Sequence, residues 1–316
     1  MSATVSPAPG FVVHASEFER VLGPDPRIVE AIATDAHEGP VYAADEDALY
    51  FTTVPRRSEH LDVALPLVAV RRLALDGTRF PLEPHRLTTL RAPANAANGM
   101  TMDGEGRLVI CEQGSFLEPA AITRLDRRTG VVETIVDEAG GLPLNSPNDV
   151  VVTRDGAIWF TDPSYGHLQG FRPEPAVPDR VYRLDRASQR VDVVAEGFDK
   201  PNGLVLSPAE DMLYVSDNGV PQHVVAFDVS GGRVSNRRVF AAGTPGHPDG
   251  LAVDSGGRLY ASAAGGIHVF SADGEPIGAI ELPGAVSFTF AGRARDILFV
   301  TADTAIWALR LGVSGA

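Results

Sequence analysis

One phrase recurs six times along the chain, and no other feature constrains the fold as much. It reads EGPVYAADEDALYFTT from Glu38, NGMTMDGEGRLVICEQ from Asn98 and NDVVVTRDGAIWFTD from Asn148. It returns as NGLVLSPAEDMLYVSD from Asn202, DGLAVDSGGRLYASAA from Asp249 and FTFAGRARDILFVTAD from Phe288. Each copy opens on an anchor residue, runs through a short apolar segment, turns at Asp, Gly or Glu, and returns as a second apolar strand. The anchors are 60, 50, 54, 47 and 39 residues apart. Hairpin material fills the gaps, as in AAITRLDRRTGVVETIVD, RVYRLDRASQRVDVVAE and HVVAFDVSGGRVSNRRVF. Two strands plus two strands make a four-stranded unit, and units of this period are propeller blades. The expectation is an all-β, six-bladed β-propeller of four-stranded blades forming a single domain over 1–316. The N-terminal segment 1–36 is expected to complete the last blade and close the ring, which leaves only short strand edges.

Composition agrees with many short strands: 32 Gly and 24 Pro stand among 316 residues, and long helical periodicity is scarce. The formal net charge of -14 excludes a nucleic-acid footprint. It serves solubility, and where clustered it can attract a metal cation. Cys111 is the single cysteine, so no intrachain disulfide forms, which fits a reducing compartment. The N-terminus shows no secretory pattern, and no apolar run is long enough to span a bilayer. A soluble, cytoplasmic protein with no membrane partner is the expectation.

In a propeller the innermost strand of each blade runs along the central channel, so one repeat position forms a ring about the axis. Here that ring reads Glu38, Asn98, Asn148, Asn202, Asp249 and Phe288. Taken singly, Asn or Asp before Gly is an ordinary turn residue. The same slot is acidic or amide in five repeats, and that weakens the turn explanation. Carboxylates with amide carbonyls are hard oxygen donors that suit Ca²⁺ or another hard divalent ion in the channel. No Cys/His set points to structural zinc. Cys111 reads as a small buried apolar residue, His37 and His247 as loop histidines at the channel mouth, and Asp149 as a residue that turns away and serves the turn.

The motifs EGPVY, SPNDVVVTRDGAIWFTDPSYG, KPNGLVLSP, SNRRVF and HPDGLAVDSGGRLYAS resemble the senescence marker protein/gluconolactonase/luciferin-regenerating enzyme family, and the bacterial gluconolactonases in particular. The resemblance runs from about Glu38 to Thr301. It implies one divalent metal in the channel, Ca²⁺ first, with Zn²⁺, Mg²⁺ or Mn²⁺ as alternatives. The implied ligands are Glu38, Asn148, Asn202 and Asp249, four of the six anchors. Asn98 is placed beside the substrate. Two departures bear on the substrate: the segment TTVPRRSEHLDVALPLVAV after the first motif, and the last blade, which lacks the usual Asn near its anchor.

The reaction the resemblance implies is hydrolysis of a sugar lactone or related small lactone. The metal would polarise the carbonyl and stabilise the oxyanion. Asp249 is the first candidate for the base. Asp217, in YVSDN, either faces the channel as a second catalytic carboxylate or caps a turn. Tyr165 opens a Pro- and Gly-rich segment over 163–180 that has the length of a lid. With Asn98 and Asn148 it makes the expected substrate-binding set. No G-x-S-x-G motif is present, against a serine esterase. A phosphotriester hydrolase on the same scaffold and a non-enzymatic propeller that binds protein partners are the alternatives.

Overall fold

The structure is a computed structural model that describes residues 10–57, 65–75, 77, 79–241 and 245–316. Six antiparallel sheets of at least four strands each follow one another around a central channel. Blade 1 is Val41–Ala43, Ala48–Thr52, Val70–Ala74 and Leu87–Arg91, and blade 2 is Ala97–Met102, Leu108–Glu112, Ala121–Leu125 and Val132–Val136. Blade 3 is Val150–Val152, Ile158–Asp162, Arg180–Leu184 and Val191–Ala195, and blade 4 is Pro201–Leu206, Met212–Asp217, His223–Ser230 and Arg233–Ala241. Blade 5 has Leu251–Val253, Leu259–Ala263, Gly266–Phe270 and Pro276–Glu281; blade 6 has Ser287–Ala291, Ile297–Thr301 and Ala305–Arg310.

The ring closes through the N-terminal segment. Ile28–Ala33 pairs antiparallel with Ala305–Arg310 as the outer strand of blade 6. The strand before it goes elsewhere: Gly10–Val13 pairs with Pro276–Glu281 and gives blade 5 a fifth strand. Between them the helix Ser16–Leu22 buries Phe18, Val21 and Leu22 over the seam between blades 5 and 6. Gly278 is required there, since a Cβ would come within 2.1 Å of the Phe18 ring.

The apolar core is divided into six seams, each between two adjacent blades. Leu49, Phe51 and Leu73 of blade 1 meet Ile297, Phe299 and Ile306 of blade 6. Tyr50 and Val70 of blade 1 meet Leu108 and Ile110 of blade 2 from the other side. Alternate side chains of one strand therefore serve two seams, and both faces of each blade are apolar.

A hydroxyl near the end of the second strand fastens five of the six blades to the next. Thr52 Oγ1 donates to Asn98 O at 3.2 Å, Thr161 Oγ1 to Asn202 O at 2.7 Å and Ser216 Oγ to Asp249 O at 2.8 Å. Ser262 Oγ donates to Val286 O at 2.5 Å, and Thr301 Oγ1 closes the circle on His37 O at 2.6 Å. Blade 2 has Cys111 at this slot, and its thiol is buried. Two of the turns on the far side share one chemistry. Asp103 Oδ1 accepts from the N–H groups of Glu105 and Arg107, and Asp254 Oδ1 from those of Gly256 and Arg258. No helix among the described residues is long and apolar enough to cross a membrane.

Candidate functional site

The anchors sit where the innermost strands begin, at the channel end that carries the loops between second and third strands. Backbones crowd there, and glycine makes room. A Cβ on Gly39 would lie 2.7 Å from Asn98 O, one on Gly99 2.5 Å from Asn148 O, and one on Gly203 2.3 Å from Asp249 O. The residue after each anchor thus touches the anchor of the next blade, and the side chains of Glu38, Asn98, Asn148 and Asn202 are gathered at 5–7% exposure.

Blade 6 departs from the expected ring. Phe288 packs into the seam between blades 5 and 6, and Ser287 takes the channel position, where it offsets part of the rise that burial imposes on the Glu38 carboxyl. Adjacent strand residues face opposite sides, so an offset of one exchanges an aromatic for a hydroxyl. The apolar alternation Phe288, Phe290 carried the signal, since it belongs to the packed face.

Asp149 also departs from expectation. It does not turn away: Oδ2 accepts from Leu204 N–H of blade 4 at 3.1 Å and Oδ1 from Val150 N–H at 2.9 Å. Its carboxylate occupies the space that Gly99 leaves open, 2.5 Å from the position of a Cβ there. Blades 1, 2, 4 and 5 carry Gly at this slot (Gly39, Gly99, Gly203, Gly250) and blade 3 carries Asp, so the repeat alignment held the signal.

Three carboxylates, Glu38, Asp149 and Asp249, therefore share the channel, and no Lys or Arg among the described residues pairs with any of them. Burial pushes Glu38 well above the usual carboxylate range, and the charges of Asp249 and Asp149 raise it further. Burial raises Asp149 to about 7 and Asp249 to about 6. His37 and the Asn202 amide offset part of the rise at Asp249. His37 itself lies at the rim, its Nδ1 2.7 Å from Asp303 Oδ1, and His247 Nδ1 is 2.5 Å from Asn218 O.

Asp249 Oδ1 is sealed from solvent and has no hydrogen-bond partner. An anionic oxygen so placed is costly unless a cation meets it. Among the described residues no three His, Cys, Asp or Glu side chains gather into a metal cluster. The ring offers two carboxylates and three amides, and amide oxygens have to complete any donor set. The Asn148 side chain makes no hydrogen bond to another described residue. Asn98 Oδ1 accepts from Gly99 N–H at 3.0 Å. Asn202 Nδ2 donates to Tyr165 OH at 3.2 Å, which leaves its Oδ1 uncommitted.

Asp217 lies behind the ring. Its oxygens accept from Lys200 N–H at 2.9 Å and Asp199 N–H at 3.2 Å, so it holds the loop that leads into Asn202. Asp162 does the same in blade 3 for Asn145 and Ser146, ahead of Asn148. These bonds realise the turn-capping alternative for Asp217.

The segment after Asp162 is tied down over the site. The short helix Tyr165–Leu168 follows Ser164, and Gly166 N–H donates to Ser146 Oγ at 2.9 Å. Arg172, 8% exposed, donates to four carbonyl oxygens, those of Asn145, Leu144, Ser115 and Glu118. Sequence reasoning missed Arg172, because an arginine in a loop reads as solvated until its carbonyl partners are known. On the blade 1 side the hairpin Arg56–Arg57 with Pro66–Leu67 lines a cleft with Leu168, Gln169 and Phe171 of that segment. Residues 58–64 of the unusual segment lie outside those described. Past the anchors the channel widens into a cavity of about 550 Å³ lined by Val41, Met100, Val150, Leu204, Leu251 and Phe288, with Asp149 at its inner end.

Comparison with known proteins places this geometry. The model of the SMP-30/Gluconolactonase/LRE-like region matches residues 36–304. A gluconolactonase from Zymomonas mobilis is 33% identical over 294 residues, which span 87% of this chain and 79% of that protein. The structure of a gluconolactonase from Xanthomonas campestris is 34% identical, covers 98% of this chain and 96% of its own, and superposes with a TM-score of 0.82. The calcium-binding protein regucalcin from Agrobacterium tumefaciens shares the fold, with a TM-score of 0.70 at 18% identity over 92% of this chain and 95% of its own.

Proposed function

The chain belongs to the SMP-30/gluconolactonase/LRE-like family, and from that premise we propose that it opens a sugar lactone or related small lactone with the help of one divalent cation in its channel. The observation that carries the reading is Asp249 Oδ1, a buried carboxylate oxygen that no protein donor reaches. Glu38 adds a second carboxylate held above its usual range by burial and by Asp249. Asn148 and Asn202 add uncommitted amide oxygens. The set is all oxygen, with no thiolate or imidazole, and suits Ca²⁺ best, ahead of Mg²⁺, Mn²⁺ or Zn²⁺.

Glu38, Asn148, Asn202 and Asp249 would hold the ion. When bound, it supplies Lewis-acid polarisation of the lactone carbonyl and charge compensation for the oxyanion. The protein's own groups do the rest. Asn98 and Asn148 present amides to the hydroxyls of the substrate at the channel mouth. Tyr165 has its oxygen engaged by Asn202, and its O–H proton remains for the substrate. Burial pushes this phenol well above the usual tyrosine range, so it stays protonated. The Asp249 carboxylate accepts a proton from water as the water oxygen attacks the carbonyl carbon. The ring C–O bond then breaks, and the departing alkoxide takes that proton to give the open hydroxy acid.

The test is a panel of aldonolactones and one organophosphate triester, assayed after chelation and after return of Ca²⁺. Lactone turnover that disappears with chelation and returns with the ion supports the reading. Turnover of the triester alone, or lactonase activity indifferent to chelation, overturns it.

A further inference from the structure

Asn202 can serve an ion only through Oδ1, and a carboxamide has no intrinsic preference for which end points inward. Something must fix it. Around Asn202 one partner does so: Tyr165 OH, 3.2 Å from Nδ2. The phenol oxygen accepts from the amide nitrogen, and the carbonyl end is turned the other way. Tyr165 stands at the first position of the helix Tyr165–Leu168, and that helix is held from below. Gly166 N–H bonds Ser146 Oγ, and Ser146 Oγ donates to Pro163 O at 2.7 Å. Gly166 O accepts from Arg172 N–H and Phe171 N–H. The Arg172 side chain packs against Gly166 so closely that a Cβ there would lie 2.4 Å from its Cγ. Its guanidinium then fastens the segment to the strand lead-in at Leu144 and Asn145 and to the blade 2 loop at Ser115 and Glu118.

We propose that Tyr165 is a positioning residue for the cation, that it sets the Asn202 amide with its carbonyl toward the ion, and that Arg172 holds Tyr165 in register for this task. The segment over 163–179 is then a fixed bracket built across blades 2, 3 and 4, in place of a lid that opens and closes. The inference rests on the metal-dependent lactonase reading and adds to it how this chain's ion affinity is set from outside the donor ring.

The test is ion affinity, read by calorimetry with Ca²⁺ on the full chain, with the Ca²⁺ concentration at half-maximal lactonase activity as a second readout. Tyr165→Phe keeps the ring and removes the acceptor. It should weaken Ca²⁺ binding about tenfold, the usual scale for an outer partner of a metal ligand. Arg172→Ala should shift affinity in the same direction. Arg172→Lys, which cannot span four carbonyls, should recover only part of the loss. The decisive arm is Asn202→Asp. A carboxylate presents oxygen at either end, so Tyr165→Phe should cost little in that background. Equal Ca²⁺ affinity of Tyr165→Phe and wild type overturns the inference and leaves the metal reading standing. An equal loss in the Asn202→Asp background overturns it too, since orientation would then not be what Tyr165 supplies. A wild-type chain that takes up no ion overturns the metal reading, and this inference with it.

Discussion

Asp249 and Asp217 both stand among the inner strands, one at the start of a first strand with Oδ1 sealed from solvent and the other buried at the end of a second. They differ in what reaches them. Asp217 accepts three hydrogen bonds from the backbone of Asp199 and Lys200. Asp249 has an oxygen with none. A propeller makes both kinds from one repeat. Where a second strand ends, the incoming loop folds back and brings N–H groups to the carboxylate. Where a first strand begins, the six strand starts converge on the axis, and at Asp249 Oδ1 no N–H group arrives to donate. Satisfaction, more than burial or charge, separates the carboxylate that holds the scaffold from the one available for chemistry.

The sharpest way to break this contrast is Asp249→Ala. Lactonase activity should fall between about a hundredfold and ten-thousandfold, the span of a lost general base, while circular dichroism stays that of the wild type. Retained activity would place the chemistry elsewhere. Asp217→Ala should do the reverse, costing about 3 kcal/mol in urea unfolding because buried N–H groups lose their acceptor. Its turnover per folded molecule should be preserved, and a loss of turnover without a loss of stability would return Asp217 to the catalytic set. Next in size is the ion itself. A hundredfold excess of Ca²⁺ over its Kd should stabilise the fold by about 2.7 kcal/mol, read as a raised unfolding midpoint, and Asp249→Ala should abolish the effect.

The stabilisation by Ca²⁺ should also depend on pH. Burial raises ion-free Asp249 to about 6, above its ordinary 3.8. The folded, ion-free chain therefore holds this proton more tightly than the unfolded chain. Asp249's contribution to ion-free stability is full below about pH 4 and is lost as pH rises through 6. The ion requires the carboxylate, so the proton competes with it, and Ca²⁺ should bind more weakly at pH 5 than at pH 7.5, with proton release on binding. Calorimetry in buffers of different ionisation heat checks both. The smallest effect is expected at the ring seam: Thr301→Val removes the hydroxyl bond that closes blade 6 on His37 and should cost about 1 kcal/mol in thermal unfolding.

Much of the molecule was legible in its repeats. The spacing of Glu38, Asn98, Asn148, Asn202, Asp249 and Phe288 set the blade count, and the first five set the channel ring, because one repeat position maps onto one place around the axis. The blades themselves follow from alternation. The misreadings were single-residue ones. Phe288 was aligned by its apolar pattern where Ser287 holds the position. Asp149 was read as a turn residue although it fills the gap beside Gly99. Arg172 gave no signal, since its partners are carbonyls from two other segments of the chain, Ser115 with Glu118 and Leu144 with Asn145.

The sequence alone determined the sixfold architecture, the apolar seams and the oxygen-rich ring, because periodicity is a local property repeated along the chain. Only the tertiary structure decided which carboxylates are satisfied, that Ser287 stands beside Glu38, and that Tyr165 meets Asn202. Those outcomes depend on which backbone N–H groups and side chains from other blades arrive within hydrogen-bonding distance. That is fixed when six sheets close into a ring, and no single repeat carries it.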